Sequence, residues 1–569
     1  MIRCGCCLTD WDLNFLTDDL FPDVSPLLAS TRTFLEDLLK INNYSMEDEE
    51  ESPISSELVA ECIRRGRELS RAATRRNNEL VGNGVSLEDS SPAMLHFFSA
   101  KLPSEIRKAS DVSHEIISAT KLLQMKMCSG SVTPNTFISF LEHQGIRMKD
   151  ATYCQQVKVC CSSNNKYRTI DGTCNNKEHP EWGRRGAPFT RIATPRYADG
   201  IYAMPVAKSG HQLPNPRVLS TRLFQDQPIG SRVLNNMNMQ WGQFVTHDLV
   251  FQVMEVTDKG GIQCCLGEGK GILPSEWLND KCIPISVPDD DQFYRCHGIK
   301  CLNFVRSVTT PRDDCSLGHA EQMNTVTSYL DGSPIYGSDK KLAAKLRSWI
   351  GGRLRQESRK DCLRGFLPSV SDKFAVCDLR NSSEPCYLAG DTRINQTPTL
   401  AMLHTLLLRE HNRVADILSD LNPLWSDEKL YQEARRIVIA EIQHITYQEW
   451  LPANFDLFVG GAMERDVYGS ILGHTFQCIV AEQFYRTRIS DRYFYDNGEM
   501  PHSFTSDQLK ELKKASMARL ICDNTDSVYY VQKKAFEVES TYNPKYRCDD
   551  YNAIPYVDLT AWKQPSIFD

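Results

Sequence analysis

The sequence of 569 residues lacks any run of eighteen or more apolar residues, so we expect no membrane-spanning helix. It also lacks an excess of positive charge. The formal net charge is −8, and no basic stripe with interleaved aromatic residues is visible, so we expect no nucleic-acid partner. Strand-like alternation is scarce and no internal repeat is apparent. These absences favour a mainly α-helical globular protein with little β-structure.

No paired CxxC motif of the zinc-binding type occurs, although the chain contains 21 cysteines. So many cysteines without such a motif indicate an oxidising compartment and disulfide bonds. Their clustering after residue 150, among frequent prolines, predicts long loops stapled by disulfides. Because the total is odd, at least one thiol is unpaired or forms a bond between chains.

A signal peptide is also absent from the start of the sequence. Met1 to Cys7 has no apolar core of the required length, and Asp10 and Asp12 follow soon after. We interpret the start as incomplete or misassigned, with export by another route as the alternative. The expected location is extracellular or in the secretory pathway.

The chain divides into two regions. Residues 1–150 are polar and helical in pattern, with apolar spacing at Leu27 to Ile41 and Leu58 to Leu80 and a solvated acidic run at Glu47 to Glu51. Residues 151–569 contain strong helical patterns at Leu400 to Leu421 and Asp427 to Leu451.

The most informative stretch is Trp241-Gly-Gln-Phe-Val-Thr-His-Asp248. Gln243 and His247 are four residues apart, so on a helix their side chains share one face. An amide and an imidazole together suit the binding of a small polar molecule and the transfer of its proton. Asp248 is then free to bind a hard cation. A buried helix with a core histidine is the alternative interpretation.

This stretch resembles the distal-haem helix of the animal haem peroxidases, the family of myeloperoxidase and the peroxinectin-like and chorion-type enzymes. Four further segments agree with the family and occur in its order: Tyr167 to Cys174, Thr327 to Ser333, Ala389 to Arg393 with His404 to Arg413, and a C-terminal block from Phe458 to Thr525. The resemblance implies a peroxidase domain over residues 151–569 and a propeptide-like extension over residues 1–150.

The resemblance also assigns roles to three residues. His247 would be the acid and base that moves the proton of hydrogen peroxide, and Gln243 would orient the peroxide beside it. Arg393 would supply a fixed positive charge as the O–O bond breaks, with a surface ion pair as the alternative. His404 and His411 are interpreted as packing or capping residues. The implied cofactor is haem b.

A second group of residues predicts a calcium site. Thr327, Tyr329, Asp331 and Ser333 alternate along an expected extended loop, so every second residue can face one ion with hydroxyl, carbonyl or carboxylate oxygens. In the family, the residue at Asp248 completes this shell and the residue at Tyr329 contributes its carbonyl. The ion would tie the distal helix to this loop.

The first of two departures from the family affects haem attachment. Many members esterify the haem through acids at the positions of Thr246 and Gln396, and myeloperoxidase has a bonded methionine at the position of Thr397. None of these three residues can form those links. We therefore expect non-covalent haem and a phenolic donor such as tyrosine in preference to a halide.

The second departure concerns the axial ligand, because haem iron in a peroxidase needs a proximal histidine. Pro452 runs almost directly into Phe455 and the C-terminal block, so the proximal segment of the family pattern is missing and the domain is shortened after about residue 452. His474, in a Gly-His-Thr triplet, is the candidate replacement, although its flanking residues place it in the C-terminal block.

Two hypotheses follow. In the first, the chain is a haem peroxidase that reduces hydrogen peroxide and oxidises a small or phenolic donor. In the second, it is a haem-free remnant of the peroxidase fold, from a truncated or spliced product, that acts as a calcium-binding interaction module. The sequence leaves the oligomeric state open.

Overall fold

The computed structural model describes residues 54–564. Within that range, residues 88–101, 128–132, 149–153, 155–158, 192, 225–229, 359–363, 371–385, 456–473 and 499–500 are not described. The helical pattern at Leu27 to Ile41 and the acidic run at Glu47 to Glu51 lie outside the described residues.

The described part of the chain is mainly helical, as the sequence predicts. Its α-helices are α1 (Ser56–Gly82), α2 (Ser104–Met127), α3 (Pro134–Gln144), α4 (Pro216–Leu223), α5 (Asn236–Leu249), α6 (Ser333–Tyr336), α7 (Lys340–Leu346), α8 (Pro398–Leu421), α9 (Asp427–Ile445), α10 (Leu451–Phe455), α11 (His474–Ile489), α12 (Ser506–Leu512) and α13 (Met517–Asn524). A π-helical turn, Thr446–Trp450, joins α9 to α10. The helices α1, α8 and α9 coincide with the helical patterns at Leu58 to Leu80, Leu400 to Leu421 and Asp427 to Leu451, whereas α2 was not predicted from the sequence.

The strands are only two or three residues long and pair in five antiparallel two-stranded ladders. They are β1 (Val256–Thr257) with β2 (Gly260–Gly261), β3 (Ile285–Ser286) with β4 (Cys301–Leu302), β5 (Thr309–Thr310) with β6 (Glu321–Gln322), β7 (Ser369–Val370) with β8 (Cys386–Tyr387), and β9 (Tyr530–Gln532) with β10 (Lys545–Arg547). Ladders this short fasten loops and do not form a layer of their own.

The centre of the molecule is the helix pair α8 and α9. Thr397 caps α8 by accepting a hydrogen bond from the amide of Leu400, and Pro398 occupies its first turn. Ser426 caps α9 in the same way. The apolar faces of both helices form the largest core cluster, together with residues of α5 and α13. The core therefore presses α5 against α8.

In the N-terminal region, α1 and α2 pack closely side by side. Gly66 makes this possible, because a Cβ atom there would lie 2.5 Å from the backbone nitrogen of Ala119. Both helices join a second core cluster that includes Ile201 and Leu317. The N-terminal helices therefore share a core with the domain that follows.

Polar contacts also fasten these helices to the domain. In α2, Ser110 and His114 both bind the buried carboxylate of Glu255, at 3.1 and 2.8 Å. In α1, Asn77 donates a hydrogen bond to Asp280. These contacts make the described N-terminal helices part of one structural unit with the domain. The assignment of residues 1–150 as a propeptide-like extension, which would be removed, remains a prediction.

Disulfide bonds staple the loops as predicted. Five lie between described cysteines: Cys154–Cys315, Cys161–Cys174, Cys264–Cys282, Cys265–Cys301 and Cys522–Cys548. Among the described cysteines, Cys62 is free and buried, whereas Cys160 and Cys296 are free and exposed. The search for a helix long and apolar enough to cross a membrane found none in the described residues.

Candidate functional site

The helix α5 carries the predicted proton-transfer residue in its last turn. Asn235 caps its start by accepting a hydrogen bond from the amide of Met237. Trp241 and Phe244 are fully buried and anchor the helix in the core. His247 is 6% exposed and Gln243 is half-buried. The core side of the helix is therefore rigid, and Gln243 lies nearer its solvent side.

The imidazole of His247 is enclosed but not tied to a neighbour. Its Nδ1 atom is buried and has no hydrogen-bond partner among the described residues. Burial, and secondarily the charge of Arg393, lower the pKa of His247 from 6.5 to about 3. A neutral imidazole at physiological pH can accept a proton, which is what a general base requires.

Arg393 lies directly behind the end of α5. Its Nη2 atom donates to the carbonyl oxygen of His247 at 3.0 Å, and its Nη1 atom donates to that of Val250 at 2.9 Å. Its Nε and Nη2 atoms also bind the two carboxylate oxygens of Asp391, at 2.8 and 2.6 Å. The guanidinium therefore caps the carbonyl end of the helix and shares its charge with a buried acid.

Asp391 is a site residue that the sequence argument missed. It is 3% exposed, and although burial opposes ionisation, Arg393 holds the pKa of Asp391 below its usual value. In the sequence, the Gly-Asp-Thr triplet before Arg393 has the composition of a turn, which by itself gives Asp391 no role. The i,i+2 spacing of an acid and an arginine in that turn was the signal that could have identified the pair.

Gln243 is held by a directed chain of hydrogen bonds. Thr399 donates to Gln240 at 2.6 Å, Gln240 donates to Gln243 at 3.0 Å, and Gln243 donates to Gln396 at 3.0 Å. The amide oxygen of Gln243 already accepts one hydrogen bond, and its second N–H is free to donate to a ligand. Gln396 is exposed, and its amide takes part in this chain.

The predicted cation-binding residues meet behind the same helix. Asp248 accepts hydrogen bonds from the amide of Ser333 at 2.7 Å, from its hydroxyl at 2.6 Å and from the amide of Gly332 at 3.0 Å. Asp331 accepts from the hydroxyl of Thr327 at 2.9 Å. Both carboxylates are almost fully buried. The loop and the helix are therefore joined through these side chains.

Two features of this cluster suit a hard cation. Burial raises the pKa of Asp331 to about 6, and burial together with the charge of Asp331 raises the pKa of Asp248 well above its usual value. In addition, Asp331 Oδ2 is buried without a hydrogen-bond partner in the described structure. A bound cation would neutralise both acids and use the unpartnered oxygen. The donor set of carboxylates and hydroxyls therefore fits calcium.

The cluster of Asp248, Thr327, Asp331 and Ser333 contains only two charged side chains. No group of three or more His, Cys, Asp or Glu side chains with suitable geometry occurs in the described ranges. Tyr329 turns its hydroxyl away, donating to the carbonyl of Trp182 at 2.6 Å. Its role toward a cation is therefore restricted to its backbone carbonyl.

Three further histidines were singled out in the sequence: His404, His411 and His474. His411 bonds to the Tyr336 hydroxyl and the Gly352 carbonyl, both at 2.9 Å. His404 bonds to the carbonyl of Leu400 at 2.9 Å. Both ring nitrogens of His411 are thus bonded, as expected of a packing residue, whereas Nε2 of His404 is buried without a partner in the described structure. His474 begins α11, but its side chain lies outside the described residues.

Another buried acid lies in the π-helical turn. Glu449 accepts a hydrogen bond from the amide of Met517 at 3.2 Å, and burial raises its pKa to about 8. Beside it, Trp450 packs on Gly242 of α5 and donates to the carbonyl of Asn238 at 2.9 Å. The turn therefore packs against the helix that carries His247.

The sequence is similar to a known protein family and to several known proteins. Residues 167–455 and 452–536 match the model of the animal haem peroxidase family. A peroxidase of Drosophila melanogaster is 31% identical over 581 aligned positions, covering 71% of this chain and 83% of the fly protein. A chorion peroxidase of Aedes aegypti is 42% identical over 298 positions, covering 52% of this chain and 37% of the mosquito protein.

A solved structure was also matched. Peroxidase A from Dictyostelium discoideum aligns with a TM-score of 0.41 and 23% identity, covering 69% of this chain and 67% of its own.

Proposed function

The chain belongs to the animal haem peroxidase family, whose members are oxidoreductases acting on peroxide, and we propose that it reduces hydrogen peroxide with His247 as acid and base. The observation that carries this proposal is the neutral, buried imidazole of His247 beside Arg393 and on the same helix as Gln243. Both ring nitrogens of the core histidine His411 are bonded, whereas Nδ1 of His247 has no partner among the described residues.

The mechanism assigns one task to each side chain. Haem, when bound, supplies the iron at which the O–O bond of peroxide is cleaved. His247 accepts the proton of the peroxide on Nε2 and returns it to the departing oxygen. Gln243 donates its free N–H to the peroxide and orients it. Arg393 fixes the backbone of His247 and keeps the site electropositive, moderated by Asp391.

The residues around the site fit a haem held without ester links. Thr246 is exposed and its hydroxyl bonds the carbonyl of Gly242, while Gln396 is exposed and bonds Gln243. Neither is a carboxylic acid, so non-covalent haem b is the proposed cofactor. His474 is the histidine that we propose would hold the haem iron, on the Gly-His-Thr triplet alone; His404, His411 and His444 each bond a neighbour within the fold.

Two observations support the proposal that the domain is shortened after about residue 452. The family matches the chain as two blocks that meet at residues 452–455. The alignment with the fly peroxidase is longer than this whole chain, yet only 71% of the chain takes part, which supports missing stretches without placing them. The fly protein therefore contains long stretches that align with gaps in this chain. Both observations also support the second candidate, a haem-free calcium-binding remnant.

We propose calcium as the ion of the cluster formed by Asp248, Thr327, Asp331 and Ser333, with the carbonyl of Tyr329 as a further ligand. The unpartnered Oδ2 of Asp331 and the raised pKa values of both acids support this. Calcium would hold the loop against α5 and so fix His247, the neighbour of Asp248.

The donor we propose is phenolic, such as tyrosine, because the links that make haem strongly oxidising are missing at Thr246 and Gln396. An extracellular or secretory location is proposed from the five disulfide bonds, which persist in oxidising compartments.

Haem reconstitution tests the function. The chain, its His474→Ala variant and an exposed control, His211→Ala, are each mixed with haem and their absorption spectra recorded. We expect a histidine-ligated band in the parent and in His211→Ala that is lost in His474→Ala, and peroxide turnover that follows the band. No specific band in any of the three would refute the peroxidase proposal and leave the calcium-binding remnant.

A further inference from the structure

A cleft with basic walls lies beside α9. Its walls come from residues 166–168, from α9 itself and from residues 493–504. Four of the side chains that line it are basic: Lys166, Arg168, Arg435 and Arg436. Among the described residues, no aspartate or glutamate lines this cleft. Its walls therefore carry the sign of charge that attracts an anion.

Arg435 brings to the cleft a buried positive charge that is held by backbone groups. The residue is 2% exposed, and its Nη1 and Nη2 atoms donate to the carbonyls of Arg168 and Thr169, at 3.2 and 3.3 Å. Its Nε atom is buried and has no acceptor among the described residues. A buried charge is costly unless an opposite charge compensates it. Arg435 therefore leaves both a charge and a donor for a ligand to satisfy.

The other three basic residues share two acids. Lys166 and Arg436 both pair with Glu433. Arg168 holds Asp491 through two contacts, of 2.7 and 2.6 Å. Together with Arg435, four positive charges thus meet two acids, which leaves an excess of two positive charges around the cleft.

The surroundings of Arg436 show the same excess. Burial lowers the pKa of its guanidinium, and the charge of Arg168 adds to this shift, although Glu433 opposes it. Because arginine keeps its charge in proteins, the lowered pKa means that this positive charge is poorly compensated. An anion in the cleft would supply the missing compensation.

Aromatic rings hold two of the guanidinium groups in place. The Arg436 guanidinium lies 3.6 Å from the centre of the Phe504 ring, and the Arg168 guanidinium lies 5.5 Å from the centre of the Tyr493 ring. Both rings line the cleft. Groups that are already fixed lose little conformational freedom when they bind a ligand, so the site is preorganised.

One further acid lies within electrostatic reach of the cleft. Burial raises the pKa of Asp331 to about 6, and the charges of Arg168 and Arg435 oppose this rise. Its carboxylate accepts from the Thr327 hydroxyl and the Ser333 amide, at 2.9 and 3.2 Å, and it does not line the cleft. Asp331 belongs to the proposed calcium cluster, where the cation would take up its charge.

We propose that this cleft binds an oxyanion of the phosphate type, either free phosphate or the phosphate group of a monoester. A phosphate monoester carries about 1.5–2 negative charges at neutral pH, which matches the excess of positive charge. Its oxygens accept several hydrogen bonds at once, and guanidinium groups fit that geometry. The cleft shares no residue with the proposed peroxide site, and binding there does not require haem.

Calorimetric titration of the full chain with inorganic phosphate, at constant ionic strength, tests the site. We expect saturable binding of one phosphate per chain. Lys166→Gln removes one positive charge from the cleft and should weaken this binding about tenfold. Lys429→Gln is the matched control, because Lys429 is also half-buried but does not line the cleft, and it should bind phosphate like the parent.

A second measurement uses the unchanged chain and therefore does not depend on the folding of a variant. Lysines are acetylated with a chemical reagent, with and without phosphate, and the rate at each position is followed by mass spectrometry. Bound phosphate should slow the acetylation of Lys166 and leave that of Lys429 unchanged.

Phenyl phosphate distinguishes the two sources of the anion. If it competes with inorganic phosphate, the cleft accepts the phosphate group of a monoester; if it does not, the ligand is the free ion. Either result supports the site. Three results overturn it: no saturable binding of phosphate, equal loss of affinity in Lys166→Gln and Lys429→Gln, or equal protection of the two lysines. Circular dichroism shows whether the variants are folded.

Discussion

Arg393 Nη2 lies 3.0 Å from the carbonyl oxygen of His247, so the guanidinium is bonded to the backbone of the proposed base. The same guanidinium is paired with Asp391, which lies two residues earlier in the chain. In the proposed mechanism, Arg393 would therefore position His247 as well as stabilise charge.

The first prediction concerns His247 itself. His247→Gln keeps a polar side chain of similar reach but cannot exchange a proton at neutral pH. Because proton transfer by a placed base contributes about 10²–10⁴-fold, peroxide turnover by the haem-loaded chain should fall by about that factor. Stopped-flow mixing with peroxide measures it. Equal loss in His211→Gln, which is far more exposed, would show that the effect is not specific to the site.

The second prediction concerns calcium. An ion that binds only the folded chain stabilises it by about 2.7 kcal/mol when present at 100 times its dissociation constant. Adding calcium to chelator-treated protein should therefore raise the melting temperature, measured by scanning calorimetry. Asp331→Asn should remove most of this gain, whereas Asp289→Asn, at a solvated aspartate, should not. A gain that survives Asp331→Asn would place the ion elsewhere.

The third prediction concerns acid. Burial lowers the pKa of His404, His411 and His444 from 6.5 to about 4. Between these values the unfolded chain binds protons that the folded chain does not. Each histidine therefore removes about 1.4 kcal/mol of stability per pH unit as the pH falls from about 6.5 to about 4.

His444→Gln tests this sign, because glutamine can still accept a hydrogen bond from Tyr495 but does not titrate. The free energy of unfolding, from denaturant titrations across this pH range, should depend less steeply on pH in the variant. A parallel slope in the parent and the variant would contradict the prediction, and His211→Gln serves as the exposed control. Asp331 works in the opposite direction, since its raised pKa favours the folded state on acidification.

The fourth prediction concerns the contact between α1 and α2. Gly66→Ala would place a methyl group 2.5 Å from the backbone nitrogen of Ala119, which cannot move aside as a side chain could. Overpacking of this kind typically costs about 1–3 kcal/mol. Thermal unfolding should report the loss. Gly230→Ala is the control, because nothing lies within 4 Å of its new methyl group.

The sequence predicted the elements whose signal is local. The spacing of Gln243, His247 and Asp248 placed three candidate side chains on one helix, and the helices α8 and α9 were predicted from their helical patterns. Thr327, Tyr329, Asp331 and Ser333 were predicted to line an extended loop; the structure brings Ser333 to Asp248, but Ser333 begins α6 and the Tyr329 hydroxyl turns away. Each of these depends on residues a few positions apart.

Interactions between distant residues were not predictable in this way. Nothing near Glu255 in the sequence indicates that Ser110 and His114 of the N-terminal helices bind it, so those helices were interpreted as a separable extension. The hydrogen-bond chain from Gln243 to Gln396 joins residues that are 153 positions apart. Such pairings depend on the packed fold, because periodicity carries no information about which surfaces meet.

The side chain of Asn235, which caps α5, donates to the carbonyls of Ala535 and Glu537 and so joins parts of the chain that are about 300 positions apart. During synthesis the C-terminal part emerges from the ribosome last. The helix of His247 therefore gains these contacts, and its packing against Phe536, only after residues 535–537 have been synthesised. A chain that stops before these residues would hold α5 without this support.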